Sequence, residues 1–250
     1  MAFSVHCGNP RQNEKNVLNE ITFFILPTPL RFTEKAISGD KKFKNIYPRS
    51  LVALLLFHSL IVFASDNPLV DIQKLNPKIK FEIRYATPDN FVGEPLYPEA
   101  RCLLRRETAK KLMRVQAELE KRGLGLKIFD GYRPLSVQKK MWAKYPVEGY
   151  VANPAKGSNH NRGAAVDLTL TDKDGRELPM PSAYDEFSER AHRDYKGGTE
   201  EQRKNRRILR DAMEAEGFHG ISTEWWHFDD VDAKTYPVLD LPFSSVDNHE

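Results

Sequence analysis

The chain has 250 residues, 40% of them hydrophobic and 29% charged, which is ordinary for a globular protein and enough for one well-packed domain or two small ones. Its 38 basic and 35 acidic residues nearly balance, which argues against nucleic acid as the main partner because phosphate binding needs a basic surplus. Two cysteines exclude a cysteine-rich metal site and a disulfide framework, so any metal must rest on histidine and carboxylate.

Residues 41–64 have the pattern of a secretory signal. Basic residues at 41–49 precede an apolar-rich run at 51–64, and Val62 and Ala64 stand at the −3 and −1 positions before Ser65. The run is too short for a comfortable membrane span. We therefore expect export, for example to the periplasm, with no stable membrane span after processing.

A signal normally begins near residue 1, so residues 1–40 are expected to be an upstream extension, either disordered or an artefact of the assigned start. Two alternatives remain for the apolar run: an uncleaved anchor with a short cytoplasmic tail, or a buried core helix. A cytoplasmic location is the alternative to export. Residues 65–250 are expected to form the catalytic domain.

The first half of this domain predicts a strand, a helix and a second strand. Hydrophobic residues alternate with polar ones over 79–85, as in a half-buried strand. Residues 107–122 predict a helix with one apolar face and Gly123 as its C′ residue. Residues 126–129 predict a strand that runs into a turn at 130–134.

The second half continues with mixed elements. Ser136 is expected to cap a short helix that reaches Trp142, and Thr199 with Gln202 predicts a capping box for a helix ending at Gly217. Further strands are predicted at 164–170 and 225–229, with a hairpin-type turn at 172–175. The elements do not alternate as strict βαβ units, which indicates a single α+β domain with a central, mainly antiparallel sheet flanked by helices.

Two short segments, 158–167 and 224–227, carry the chemistry. They contain two imidazoles, His160 and His227, and two carboxylates, Asp167 and Glu224. This set suffices for three ligands to a catalytic zinc and one general base. Either pair alone is more often a surface pair, but their conjunction with Trp225, Trp226 and a Gly/Ala-rich first segment favours a metal site.

The spacing of the second pair sets a geometric condition. Residues three apart in an extended strand project to opposite faces, so Glu224 and His227 share one site only if the chain bends between them. Arg133 is a further candidate, because Gly131 and Pro134 place it in a sharp turn. It could stabilise an oxyanion or bind a substrate carboxylate, or it could simply pair with Asp130.

At these residues the chain resembles the D-alanyl-D-alanine dipeptidases, zinc enzymes related to VanX within the wider superfamily of DD-peptidases and Hedgehog proteins. The motifs Ser-x-His-x-x-Gly-x-Ala-x-Asp at 158–167 and Glu-x-Trp-His at 224–227 are shared across the superfamily. The narrower family is indicated by Arg-Tyr-Ala-Thr at 84–87, Asp-Gly-Tyr-Arg-Pro at 130–134 and the stretch 184–190. The resemblance covers about Leu69 to Asp240 and implies a Hedgehog/DD-peptidase-like fold.

The resemblance also implies a role for each site residue. His160, Asp167 and His227 would bind one zinc per chain, Glu224 would be the catalytic base, and Arg133 would stabilise the tetrahedral intermediate. Trp225 and Trp226 are expected to orient their neighbours by packing, with direct substrate contact as the lesser alternative. Four further positions would line or support the substrate pocket: Tyr85, Asp130, Ser158 and Asp185.

The implied reaction is hydrolysis of the dipeptide D-Ala-D-Ala to free D-alanine, in cell-wall peptide turnover or recycling. A DD-carboxypeptidase acting on peptidoglycan stem peptides is the first alternative, although those enzymes tend to carry Gly-Tyr-Arg-Ser where this chain has Gly-Tyr-Arg-Pro. A zinc-stabilised binding or signalling module is the second, but such a module needs neither Glu224 nor Arg133. The sequence does not indicate an oligomeric state.

Overall fold

The computed structural model describes residues 68–249. The upstream extension predicted for 1–40 and the signal-like segment at 41–64 lie outside these residues. Within the described part of the chain, no helix is long and apolar enough to cross a membrane.

A five-stranded sheet forms the centre of the domain. In chain order the strands of the described residues are β1 (Leu69–Asp71), β2 (Lys80–Phe81), β3 (Leu103–Arg105), β4 (Leu124–Asp130), β5 (Ala165–Asp172), β6 (Phe218–Gly220) and β7 (His227–Asp230). The strand order of the central sheet is β2-β4-β5-β7-β6, with β2 parallel to β4 and every other neighbouring pair antiparallel. Strands β1 and β3 pair with each other in a small antiparallel sheet. The mainly antiparallel sheet predicted from the sequence is confirmed.

The α-helices are α1 (Ile72–Leu75), α2 (Arg106–Glu120), α3 (Leu135–Lys144) and α4 (Glu200–Ala215). Helix α2 packs against β4 and α4, and α4 also contacts β5 and β6. Leu112 and Leu119 of α2, Ile128 of β4 and Leu209 of α4 are all fully buried in this core. Burying one such side chain stabilises the fold by about 1.5–3 kcal/mol, so this packing holds the sheet that carries the site.

Local signals predicted the two long helices closely. Helix α2 ends shortly before Gly123, whose φ of +69° is the left-handed conformation expected at C′. At the start of α4, Thr199 accepts a hydrogen bond from the Gln202 backbone, and the Gln202 side chain bonds back to the Thr199 backbone. The predicted capping box is therefore confirmed.

Two predictions were wrong in detail. The strand predicted for 79–85 is confined to Lys80–Phe81, and Arg84–Ala86 is a 3-10 turn. The alternating pattern correctly predicted burial of Tyr85, but burial does not require strand pairing. Ser136 does not cap α3, which begins one residue earlier, directly after Pro134. The Ser136 backbone N–H instead donates to Asp240, a contact between distant segments that local sequence does not show.

Candidate active site

The sheet register aligns three acidic and basic side chains across adjacent strands. Asp130 at the end of β4 pairs with Asp167 on β5, and Asp167 pairs with His227 at the start of β7. A register shift between Ile128 and Asp130 makes the first pairing possible, because a regular ladder would place Asp130 opposite Val166. Side chains alternate along β5, so Asp167 faces away from the side that carries Leu168.

The fourth member of this group comes from the loop that precedes β5. His160 begins a 3-10 turn, His160–Arg162, which ends at Gly163 with φ +68°. His160 Nε2 lies 3.1 Å from His227 Nδ1 and 3.4 Å from Asp167 Oδ1. His227 Nδ1 lies 3.0 Å from the same Asp167 oxygen. The structure thus brings the three predicted metal ligands together, with one ligand atom from each within 4.8 Å of the others.

The outer nitrogen of each imidazole has its own hydrogen-bond acceptor. His160 Nδ1 donates to the Gly131 carbonyl at 2.7 Å, and His227 Nε2 donates to Asp229 Oδ1 at 2.9 Å. In its neutral form, each ring therefore turns an unprotonated nitrogen to the centre, beside the Asp167 oxygen. Three such lone pairs at about hydrogen-bond distance repel one another unless a proton or a metal ion lies between them. The donor set and its hydrogen bonds therefore fit a metal ion such as zinc.

The electrostatics of the cluster also favour a cation. Burial alone would lower the pKa of His227, but hydrogen bonds with Asp167 and Asp229 outweigh it and raise that pKa well above its usual range. Burial would raise the pKa of Asp167, but the neighbouring His160 and His227 hold it far below its usual range. Positive charge is stabilised at this point, whether a proton or a metal ion carries it.

Glu224 lies beside the cluster, with Oε2 3.9 Å from His227 Nδ1. The chain bends at Trp225–Trp226 and β7 begins only at His227, so the bend required for Glu224 and His227 to share a site is present. Burial raises the pKa of Glu224 to about 8, although His227 opposes the rise. A cation held by the cluster would lower it again.

Trp225 and Trp226 are both buried, which agrees with the packing role expected of them. Trp225 Nε1 donates to Ser182 Oγ at 2.9 Å, and the Trp226 ring lies edge-on to Tyr184 with centroids 5.4 Å apart. These contacts fix the backbone on both sides of the bend that presents Glu224.

The sequence left open whether Arg133 faces the substrate or pairs with Asp130, and its position is compatible with both. Its Nε and Nη2 donate to Asp130 Oδ2 at 3.2 and 2.7 Å, and its guanidinium also lies over the Tyr85 ring, 5.2 Å from the centroid. Arg133 also forms part of the wall of the cavity beside the three predicted metal ligands. Pairing with Asp130 therefore presents Arg133 to the cavity.

Asp130 itself does not line the cavity, so of the two roles expected of it, lining or supporting the substrate pocket, only support fits its position. Its Oδ1 accepts hydrogen bonds from Tyr97 Oη at 2.8 Å and from the Gly131 N–H at 2.9 Å, and its Oδ2 accepts from Arg133. The carboxylate is fully buried and its oxygens are occupied, so Asp130 supports Arg133 from behind.

The cavity has a volume of about 270 Å³. Asp185 Oδ2 accepts a hydrogen bond from Tyr85 Oη at 2.9 Å, and Asp185 has a positive φ of 58°, unusual for a residue other than glycine. Burial and the nearby Asp167 raise the pKa of Asp185 to about 7. Eight of the nine predicted site residues line the cavity: Tyr85, Arg133, Ser158, His160, Asp167, Asp185, Glu224 and His227.

The sequence did not predict three supporting residues. Tyr184 Oη donates to Asp167 Oδ2 at 3.1 Å, Asp229 holds His227, and Gln138 Oε1 accepts from Arg133 Nη1 at 2.9 Å. Asp229 stands two residues after His227 in a strand, a spacing that places both on one face and could have indicated it. Neither Tyr184 nor Gln138 has such a local signal.

Comparison with known proteins decides the family. The Peptidase_M15 family model, described as D-ala-D-ala dipeptidase, matches residues 65–248. The chain belongs to this family. The resemblance inferred from the motifs is thereby confirmed, and the matched range includes every predicted site residue.

Individual relatives agree with this assignment. A D-alanyl-D-alanine dipeptidase of Escherichia coli (strain K12) is 40% identical over 176 residues, covering 70% of this chain and 91% of the relative. One of Enterococcus faecium is 36% identical over 174 residues, covering 60% and 85%. A solved structure of vancomycin resistance D,D-dipeptidase VanXYg, in complex with a D-Ala-D-Ala phosphinate analogue, is 24% identical over 55% of either chain. Its TM-score of 0.34 is too low to add to the family assignment.

Proposed function

We propose that this protein is a zinc metallopeptidase that hydrolyses D-Ala-D-Ala to two molecules of D-alanine in cell-wall peptide turnover or recycling. Family membership supports the reaction and the substrate, since the relatives are named for them. The observation that carries the proposal is the cluster of two imidazole nitrogens and one carboxylate oxygen, with Glu224 beside it and Arg133 lining the same cavity.

The metal of this proposal is one zinc ion per chain, held by His160, Asp167 and His227. Two imidazoles and one carboxylate are a set typical of catalytic zinc, which keeps a further position open. Zinc bound there would polarise the scissile carbonyl and lower the pKa of a bound water toward about 7.

Glu224 is the proton carrier. It takes a proton from the attacking water as the new C–O bond forms, and it delivers the proton to the leaving amine as the C–N bond breaks. Burial raises the pKa of Glu224, and a cation beside His227 would lower that pKa again, toward neutral pH. A group with a pKa near the working pH is suited to both transfers.

Arg133 stabilises the negative charge that develops on the carbonyl oxygen. Its guanidinium stays charged at every physiological pH and is held in place from behind by Asp130. A fixed charge in a site removed from water is worth more than the same charge in solution, and losing one such donor typically lowers the rate by about 10²–10³.

The cavity contains groups complementary to the ammonium and the carboxylate at the two ends of the dipeptide. Asp185 is placed to receive the substrate ammonium, and the Ser158 region offers hydroxyl and backbone donors for the carboxylate. The sequence Gly-Tyr-Arg-Pro at 131–134, where DD-carboxypeptidases tend to carry Gly-Tyr-Arg-Ser, favours a dipeptide over a stem peptide as the substrate.

The test is an assay of the purified protein with D-Ala-D-Ala and with a pentapeptide ending in D-Ala-D-Ala. We expect about one zinc per chain by elemental analysis and release of D-alanine from the dipeptide. Glu224→Gln should keep the zinc and lower kcat by about 10²–10⁴. Normal turnover by Glu224→Gln would refute its role as base, and cleavage of the pentapeptide alone would identify a DD-carboxypeptidase.

We also propose that residues 41–64 direct export, on the strength of their signal-like sequence. An exported enzyme cannot readily deplete a cytoplasmic pool of dipeptide, so export fits turnover of wall peptides or use of their D-alanine. N-terminal sequencing of the protein made in its native host tests this. A mature chain that begins at Ser65 supports export, whereas a soluble cytoplasmic form that retains residues 41–64 refutes it.

A further inference from the structure

Gln138 lies on α3, five residues after Arg133, and its side chain is fully buried. Both ends of its amide are hydrogen-bonded. Oε1 accepts from Arg133 Nη1 at 2.9 Å, and Nε2 donates to the Ala152 carbonyl at 2.8 Å. A buried amide that bridges a guanidinium and a distant main-chain carbonyl can fix the position of both.

Asp130 alone does not fix the orientation of Arg133. Both of its contacts, from Nε and from Nη2, go to the same oxygen, Oδ2. A guanidinium held at one acceptor atom can still turn about that atom, unlike one held by a bidentate carboxylate. The bond from Nη1 to Gln138 is a second anchor on a different side of the group.

The other end of Gln138 reaches the cavity wall. Ala152 belongs to the segment 149–152, which lines the cavity and is neither helix nor strand. The donation from Gln138 Nε2 therefore ties this irregular segment to α3, and through α3 to Arg133. One side chain therefore contacts both the charged group and this part of the cavity wall.

We propose that Gln138 is a positioning residue for the hydrolysis: it orients Arg133 toward the oxygen that becomes negatively charged in the transition state. This inference rests on the proposed function, in which Arg133 acts on that oxygen. Because the interaction strengthens only in the transition state, its loss lowers kcat and kcat/KM together and leaves KM nearly unchanged.

The experiment uses the zinc-loaded full chain and two substitutions. Gln138→Met has a similar volume but removes both hydrogen bonds, whereas Gln138→Glu keeps an acceptor oxygen for Arg133. We expect Gln138→Met to lower kcat for D-Ala-D-Ala by about 10–100-fold, below the loss of a whole oxyanion donor, with KM within about threefold. A phosphinate analogue of D-Ala-D-Ala should lose affinity in proportion to kcat/KM. Gln138→Glu should recover at least half of the loss in log kcat.

A matched control is available in Gln116 on α2. It is also a buried glutamine bonded at both ends, accepting from the Leu126 N–H at 3.0 Å and donating to Glu120 at 2.8 Å. Gln116→Met should lower stability while kcat and the affinity for the phosphinate stay within about twofold of the wild type. The comparison separates loss of a buried amide from loss of the anchor on Arg133.

The outcomes separate this inference from the proposed function. If the wild type does not hydrolyse D-Ala-D-Ala, the proposed function and the inference both fail. If the wild type is active and folded Gln138→Met matches it, the inference alone fails. If Gln138→Met does not fold, Gln138→Glu decides: kcat within about tenfold of the wild type supports the anchor on Arg133, and a larger loss of kcat overturns it.

Discussion

The two oxygens of Asp167 have different partners. Oδ1 faces His160 and His227, whereas Oδ2 accepts a hydrogen bond from Tyr184. The Tyr184 ring is itself fixed by stacking on Phe129, with centroids 4.5 Å apart. This arrangement directs one oxygen of the carboxylate toward the two histidines and keeps the other oxygen away from them.

Tyr184→Phe removes only the hydroxyl that holds Oδ2. We expect zinc affinity to fall by about 10–100-fold, the usual effect of losing a group that orients a metal ligand. Competition with a chelating indicator dye measures this directly. Tyr132→Phe is the control, because Tyr132 is also buried and, among the described residues, its hydroxyl bonds only to the Leu241 backbone. Equal zinc affinity in Tyr184→Phe and the wild type would show that the hydroxyl does not orient Asp167.

Reactive residue types could be identified from the sequence, but Tyr184 and Gln138, which orient two of them, could not. His160, Asp167, His227 and Glu224 have side chains suited to zinc hydrolysis at short spacings, and the structure brings all four together. The family resemblance of the turn at 130–134 implied that Asp130 lines or supports the substrate pocket. Nothing in that turn shows that the carboxylate points away from the cavity, toward Tyr97.

At the scale of an element, the short turn that carries His160 depends on Gly163. Its φ of +68° lies in the left-handed region, and an added Cβ would lie 2.5 Å from Leu69 Cδ2. Leu69 is buried on β1 and cannot readily move aside. The site is thus built on a backbone turn that a larger residue would strain and displace.

Gly163→Ala should therefore destabilise the domain by two separate effects. The left-handed conformation costs an alanine about 1–2 kcal/mol, and crowding of Leu69 adds about 1–3 kcal/mol. Gly93→Ala is the matched control, because Gly93 has φ +83° but no atom of residues 68–249 lies within 4 Å of the added Cβ. Urea unfolding measures both variants. Equal losses of stability in the two would show that contact with Leu69 does not limit this turn.

The elements differ in how far local sequence determines them. Helix α4 was predicted from its capping box because both partners of that motif lie within four residues. The register shift in β4 that aligns Asp130 with Asp167 has no such signal, since it depends on how two strands about forty residues apart pair. The alternating pattern at 79–85 likewise predicted burial but not the 3-10 turn at Arg84–Ala86.

At the scale of the whole described domain, the three predicted metal ligands come from distant parts of the chain. His160 comes from a loop, Asp167 from the central strand β5 and His227 from β7. All three are buried, so their ligand atoms lie where water cannot readily solvate them. A bound cation therefore stabilises the folded state beyond the packing of the core, because the unfolded chain does not hold the three ligands together.

Removal of zinc should consequently lower the melting temperature. At a free zinc concentration of about 1,000 times Kd, binding contributes about 4.1 kcal/mol, and each kcal/mol shifts Tm by roughly 2–4 °C in a domain of this size. We expect a chelator to lower Tm by about 8–16 °C, and excess zinc to restore it, by differential scanning calorimetry. His227→Ala should have a low Tm that responds little to either treatment, because two ligands hold zinc weakly. A wild-type Tm that is insensitive to a chelator which removes the zinc would show that the cluster does not couple metal binding to folding.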